Sequence, residues 1–489
     1  MRLSTPLALL LLLGAFASSP SSARPNIVFV LTDDQDLVLG SLDFMPRTQA
    51  LLADQGMTFS NHFVPLSLCC PSRSTILTGL HVHNHRVLTN FPPDGGFERF
   101  DQLRHEERTL AVALHAAGYR TALFGKYLNG YPNGEDLTHV PPGWDEWASP
   151  VKGSPYAAYR YTLNENGKLV AHGSKAEDYM TDVLAAKAVD FVRRASASSQ
   201  PFFLYLATYA PHKPSTPAKR HAGLFPGLQA PRTPSFNEAD VRDKPARIRA
   251  LKRLDASRVA AIDALYRKQA QSLQAVDEAV AALVQALRDA GRLDDTYIVF
   301  TSDNGFHMGQ HRLEPGKYTP YETDIHVPLL VRGPGVPKGV TSDALTLSVD
   351  FAPTFAALAG ATLPAQPDGR SLVPLLEGKP PASWRQAVLL EQFPVPPAPP
   401  KGSDLQEPDD ASSHPAHRGL RTASYKYVEY GTGEKEIYDL TKDPDEQRNL
   451  RDRVPKTWLA SVSKLVKALA SCRGATCREI EARPMPALP

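Results

Sequence analysis

Cysteine is scarce in this chain of 489 residues, which carries four. So few thiols exclude a scaffold built on disulfides, since small stapled folds are dense in them. The acceptor triplet Asn-x-Ser/Thr is absent throughout, which argues against a heavily N-glycosylated lysosomal enzyme and fits an exported bacterial one better. Neither sign of charge dominates: 54 Lys and Arg face 52 Asp and Glu, for a formal net charge of +2. With no run of like charge to follow a phosphate backbone, nucleic acid is excluded as the expected partner. Past the first residues no apolar stretch approaches the ~20 residues of a spanning helix, so no membrane span is expected. Internal repeats are also lacking.

What is present begins at the N-terminus. Met1 and Arg2 precede an apolar run from Leu7 to Ala15 and then Ala15-Phe16-Ala17, the layout of a signal peptide. Residues 1–23 are expected to be that leader, cleaved after Ala17 or Ala23, and the mature chain to be periplasmic or secreted. In such an oxidising compartment Cys472 and Cys477, which flank Arg-Gly-Ala-Thr, could close a short disulfide loop. Cys69 and Cys70 are adjacent and need another explanation.

Along the chain, short β-branched runs end in polar residues: Asn26 to Leu31 before Thr32-Asp33-Asp34, Tyr119 to Phe124 before Gly125-Lys126, Phe202 to Leu206 before Ala210-Pro211-His212, and Thr296 to Thr301 before Ser302-Asp303-Asn304. Helical spacing of apolar residues marks Thr109 to Ala117 and Val259 to Ala290. Alternating strands and helices predict an α/β domain with a central, mostly parallel sheet. Ligands of such sheets bind beyond the strands' C-terminal ends, where these polar residues fall. From Leu389 a Pro-rich loop runs into an acidic, serine-rich stretch. Tyr425–Tyr430 and Glu436–Leu440, separated by Gly431-Thr-Gly433, read as a β-hairpin, and Trp458–Ala470 as an amphipathic helix. We therefore expect a catalytic domain over 24–385 and a smaller α+β subdomain with an antiparallel sheet over 386–489.

Asp33, Asp34, Asp303 and Asn304 offer hard oxygen ligands at two strand ends, a set suited to Ca²⁺ or Mg²⁺ rather than zinc. Each pair taken alone would be a helix cap or a turn. The stretch Leu68-Cys-Cys-Pro-Ser-Arg-Ser-Thr-Ile-Leu-Thr-Gly79 gives the pairs a context. It resembles the signature of the type I sulfatases, Cys-x-Pro-x-Arg followed by Thr-Gly, with Cys69, Pro71, Arg73, Thr78 and Gly79 matching. The resemblance extends in the family's order through Gly125-Lys126, Ala210-Pro211-His212, Thr301 to Gly305, Lys317, His326-Val-Pro-Leu329, Asp368-Gly-Arg-Ser-Leu372 and Tyr438-Asp-Leu440.

This resemblance implies an alkaline-phosphatase-like fold: a large α/β domain plus a small C-terminal antiparallel sheet with a helix. It implies that a formylglycine-generating enzyme converts Cys69 to formylglycine, an aldehyde that stands in water as a geminal diol. One hydroxyl attacks sulfur, and the other later expels sulfate. One divalent cation, Ca²⁺ by family resemblance with Mg²⁺ as the alternative, is implied at Asp33, Asp34, residue 69, Asp303 and Asn304. Arg73 is expected to steady the diol, and Lys126, His212 and Lys317 to neutralise sulfate oxygens and protonate the leaving alcohol. The chain departs from many members in reading Lys126-Tyr127-Leu128 where they have Lys-x-His, so the base of sulfate release is open, with His311 and His85 as substitutes. The wording around Cys69, His83-Asn84-His85 and Gly125-Lys-Tyr-Leu-Asn129 resembles the N-acetylglucosamine-6-sulfatase branch. The expected substrate is a sulfated carbohydrate such as 6-sulfated N-acetylglucosamine. The alternatives are an aryl sulfate, or a phosphate ester if the chain is a phosphatase or phosphodiesterase of the same superfold.

Overall fold

The structure, a computed structural model, describes residues 24–132, 134, 136–394 and 414–489. The expected leader and most of the Pro-rich stretch lie outside the described residues.

The run from Asn26 forms a strand, Asn26–Asp33, in which every residue is buried. Its side chains divide by the period of two: Ile27, Phe29 and Leu31 enter one core cluster, Val28 and Val30 another. Both faces must therefore be covered, as in parallel sheets flanked by helices. On one face pack Met180–Ser196 and the 34-residue Ala256–Asp289. The latter starts where the Asp255 carboxylate accepts from the Arg258 N–H at 2.9 Å, a side-chain N-cap. On the other face lie Cys69–Thr78, Leu110–Ala116 and Phe351–Ala359.

The large sheet has ten strands in the order Val340–Ser342, Met57–Phe59, Leu329–Arg332, Thr296–Ser302, Asn26–Asp33, Phe202–Pro211, Arg120–Gly125, Glu146–Gly153, Tyr161–Glu165, Lys168–His172. The five from Thr296–Ser302 to Glu146–Gly153 run parallel. Toward the margins the sheet turns mixed: Leu329–Arg332 is antiparallel to both neighbours, as are Tyr161–Glu165 and its neighbours. Glu146–Gly153, Tyr161–Glu165 and Lys168–His172 follow one another through connections too short for the crossover that a parallel pair needs.

Ala387–Gln392, His417–Thr422, Tyr425–Tyr430 and Lys435–Asp439 form a separate antiparallel sheet. The amphipathic helix Lys456–Leu469 lays Trp458, Val462 and Val466 against Leu420, Tyr425, Tyr427 and Ile437. Cys472 and Cys477 are joined as a disulfide.

The two sheets' layers are tied by a buried cation. Arg385 donates from Nη2 to Asp350 at 2.7 Å and from Nε to Glu481 of the helix Ala475–Glu481 at 2.8 Å, with all three side chains fully buried. Burial works to raise the Glu481 carboxyl, but Arg385 and His81 outweigh it and hold the group down at about 2. Removing one partner of such a buried set costs about 3–5 kcal/mol. Arg385→Ala should therefore lower the urea midpoint strongly, whereas Lys379→Ala, at an exposed ion pair, should leave it unchanged. Because the folded carboxyl is depressed, its contribution is full above its ordinary value of 4.5 and fades toward pH 2. The stability gap between the parent and Glu481→Gln should close over that window.

Candidate active site

The parallel strands deliver their polar ends to one edge. Thr32 pairs with Ser302 in the register between the two central strands, so Asp33-Asp34 and Asp303-Asn304 come out side by side. The Asp34 N–H donates to Asp303 Oδ1 at 3.2 Å, and Asn304 Nδ2 donates to Asp34 Oδ1 at 2.6 Å. Gly125 ends its strand at φ 119, where a Cβ would meet the Ala207 carbonyl oxygen at 1.8 Å. Only glycine permits that approach, and the next N–H, that of Lys126, donates to the same oxygen at 2.9 Å. Lys126 Nζ then donates to Asp33 Oδ2 at 2.6 Å.

Cys69 opens the helix Cys69–Thr78, all ten residues of which are buried, with Gly79 closing it in the left-handed region. Pro71 falls in the first turn, where its missing N–H costs no helical bond. One turn on from Cys69, Arg73 faces the same way. Its Nε donates to Asp303 Oδ2 at 2.7 Å and its Nη1 to the Lys126 carbonyl at 2.9 Å. The Cys69 thiol donates to Asp33 Oδ1 at 3.3 Å, and Lys317 Nζ donates both to Cys69 Sγ at 2.9 Å and to Asp34 Oδ1 at 2.8 Å. His212 lies with Nε2 3.5 Å from Asp34 Oδ2. The expected residues Asp33, Asp34, Cys69, Arg73, Lys126, His212, Asp303, Asn304 and Lys317 thus converge in one buried cluster.

Burial and the Asp33 carboxylate push the Cys69 thiol well above its ordinary value, against the pull of Lys126 and Lys317. An unmodified Cys69 is therefore a poor thiolate. Burial alone would raise the Asp33 carboxyl, but Lys126, His212 and Arg73 overcome it and keep the group ionised. Burial opposes the Lys126 ammonium in turn, and Asp33 more than restores it.

The donor set also fits a hard cation. Atoms of Asp33, Asp34, Cys69 and His212 lie within 4.8 Å of one another. Asp34 Oδ2 and Asn304 Oδ1 are buried oxygens with no hydrogen-bond partner among the described residues, a costly condition that an ion bound there would relieve.

The two substitute histidines are placed elsewhere. His85 has Nε2 on Thr75 Oγ1 at 3.0 Å and Nδ1 accepting from the Val87 N–H at 3.1 Å. His311 has Nδ1 on Glu238 at 2.7 Å, with its ring against Tyr321. Burial holds both well below the usual histidine range, and neither joins the Cys69 cluster. Leu128 packs into the core. Unforeseen from the sequence are Tyr156 and Tyr209: the Tyr156 ring lies 4.5 Å from His212, and Lys126 Nζ lies 5.2 Å from Tyr156 and 5.8 Å from Tyr209. No motif spacing marks either tyrosine.

The family model for sulfatases matches residues 25–361, and that for the C-terminal region of N-sulphoglucosamine sulphohydrolase matches residues 309–473. The chain belongs to the sulfatase family. N-acetylglucosamine-6-sulfatase of Homo sapiens is 40% identical over 489 aligned residues, covering 95% of this sulfatase and 88% of its own length. The putative extracellular sulfatase Sulf-1 homolog of Caenorhabditis elegans is 41% identical over 385 residues, covering 76% of this chain and 53% of that one. A structure solved in complex with its substrate D-glucosamine-2-N,6-O-disulfate superposes with a TM-score of 0.75 at 26% identity, covering 91% and 97% of the two chains. This sulfatase is accordingly a sulfuric ester hydrolase with the alkaline-phosphatase-like fold. No helix among its described residues is long and apolar enough to cross a membrane.

If the oxygen cluster holds a cation, calcium added to chelator-stripped protein should raise the thermal midpoint by mass action. Asn304→Ala should weaken that rise or remove it, as followed by calorimetry. An equal rise in the parent and the variant would contradict the assignment.

Proposed function

We propose that this sulfatase removes the 6-sulfate of N-acetylglucosamine units in sulfated carbohydrate, using a formylglycine made from Cys69 and one Ca²⁺ ion. The observation that carries the reading is the position of Cys69 Sγ, between the Asp33 carboxylate at 3.3 Å and the Lys317 ammonium at 2.9 Å. A nucleophile there faces both the oxygen ligands of a cation and a fixed positive charge. The raised thiol speaks for an oxygen nucleophile at this position, supplied by a formylglycine-generating enzyme acting during export to the periplasm or medium. The carbohydrate reading rests on the human N-acetylglucosamine-6-sulfatase and on the structure holding D-glucosamine-2-N,6-O-disulfate.

Asp33, Asp34, Asp303, Asn304 and the modified residue 69 would hold the ion, which supplies Lewis-acid polarisation of oxygen when bound. Arg73 is fixed through Nε and Nη1, while its buried Nη2 has no hydrogen-bond partner among the described residues. That N–H is left to steady an oxygen on residue 69. Lys126 and Lys317 are the cations for sulfate oxygens, in a buried site where charge is weakly screened. His212 Nδ1 lies 2.6 Å from the Lys213 carbonyl. A carbonyl only accepts, so Nδ1 carries a proton; in the imidazolium form Nε2 carries the second, and that is the proton passed to the leaving alcohol.

Sulfate release from 6-sulfated N-acetylglucosamine and from an aryl sulfate should be followed side by side. The carbohydrate should be preferred in kcat/KM. Lys126→Ala and His212→Ala should each lower kcat on it roughly 10²–10⁴-fold. Turnover confined to the aryl sulfate would overturn the substrate assignment.

A further inference from the structure

Beside the Cys69 cluster lies a cavity of about 430 Å³, lined by Lys126, Asn129, Tyr131, Lys152, Tyr156 and Tyr209 among others. Its volume falls in the ~300–1,000 Å³ range of small-molecule sites. Tyr156 is the shared wall: its ring stands 4.5 Å from that of His212 and 5.1 Å from that of Tyr209, and its hydroxyl accepts from Asn129 Nδ2 at 3.2 Å. A ligand filling the cavity is therefore continuous with whatever His212 and Lys126 touch.

Two features define what would fill it. Aromatic rings and polar side chains such as Asn129 and Ser149 together suit a saccharide, whose C–H faces stack and whose hydroxyls hydrogen-bond. Among the described residues, the charged side chains that line it are both lysines. Lys126 is already matched by Asp33, whereas Lys152 is exposed, forms no ion pair among the described residues, and shares the cavity with no carboxylate among the described residues that line it. Lys152 is delivered there by an irregularity: the pairing of Glu146–Gly153 with Tyr161–Glu165 slips register between Pro150 and Lys152. A bulge of this kind re-aims a side chain and is over-represented beside active sites.

We propose that this cavity binds the sugar unit adjoining the sulfated one, and that Lys152 selects a unit carrying an anionic group, a carboxylate or a second sulfate. The inference rests on the carbohydrate reading above and adds to it a second subsite with a charge preference.

The test compares kcat/KM on four compounds: the 6-sulfated N-acetylglucosamine monosaccharide, and its disaccharides with an uncharged hexose, with a hexuronic acid and with a sulfated hexose. The quantity read is the ratio of each acidic disaccharide to the neutral one within the same protein, so that any loss of folded enzyme cancels. An exposed pair contributes modestly, so the parent should favour at least one acidic disaccharide by about threefold to tenfold. The larger of the two ratios identifies the anion. Lys152→Ala should bring that ratio near one, Lys152→Glu should invert it, and high salt should erase it in the parent. A parent ratio of one, a ratio unmoved by both variants, or faster turnover of the monosaccharide than of every disaccharide would overturn the second subsite while leaving the carbohydrate reading in place. Failure to turn over any of the four would overturn both.

Discussion

Three carboxylates, Asp33, Asp34 and Asp303, are buried at the ends of two adjacent parallel strands, and the rest of the site is arranged around their charge. Each is matched by one cation: Lys126 on Asp33 at 2.6 Å, Lys317 on Asp34 at 2.8 Å, Arg73 on Asp303 at 2.7 Å. An unmatched buried carboxylate costs several kcal/mol, so the elements bearing those cations are drawn to this edge. The helix Cys69–Thr78 is one of them. With Arg73 anchored on Asp303, the residue one turn earlier on the same helical face is Cys69, and it arrives beside Asp33. The position of Cys69 thus follows from a charge-pairing requirement.

The second sheet contributes by holding the Lys317 loop. Tyr318 to Asp324 is threaded through buried polar groups: Lys426 Nζ donates to the Pro320 carbonyl at 2.5 Å and to Glu322 at 3.3 Å, and Arg421 reaches Glu322 at 3.1 Å. Asp324 accepts from the Thr319 hydroxyl at 2.6 Å, with His307 at 2.9 Å. Lys426 and Arg421 stand on strands of the antiparallel sheet, so that sheet fixes the loop after Lys317 from behind. A buried hydrogen-bonded network of this sort is rigid, which suits the part proposed for Lys317, meeting a sulfate oxygen without rearranging.

Much of this was legible in the sequence because strand ends and chemistry coincide there. The four β-branched runs become central strands, and the polar residues after each one meet at the site. Cys69, Arg73, Lys126, His212 and Lys317 were marked by motif order, and the structure brings them together. What was not legible depends on tertiary packing. Tyr209 stands on the strand Phe202–Pro211 and Tyr156 in the turn Pro155–Ala157 beyond the strand Glu146–Gly153, and no spacing links them. His85 and His311 stood near informative motifs, yet Thr75 and Glu238 occupy their ring nitrogens. The antiparallel margins of the large sheet were missed because strand direction depends on how the chain returns, which local composition does not record.

The central claim is that residue 69 works as an oxygen nucleophile made from cysteine rather than as a thiol. The most direct measurement is the mass of the proteolytic peptide carrying residue 69 from enzyme purified out of its native host. The account predicts the mass of the formylglycine aldehyde or its hydrate, with sulfate-releasing activity rising in proportion to that fraction across preparations. A fully active enzyme whose peptide carries only unmodified cysteine would contradict it.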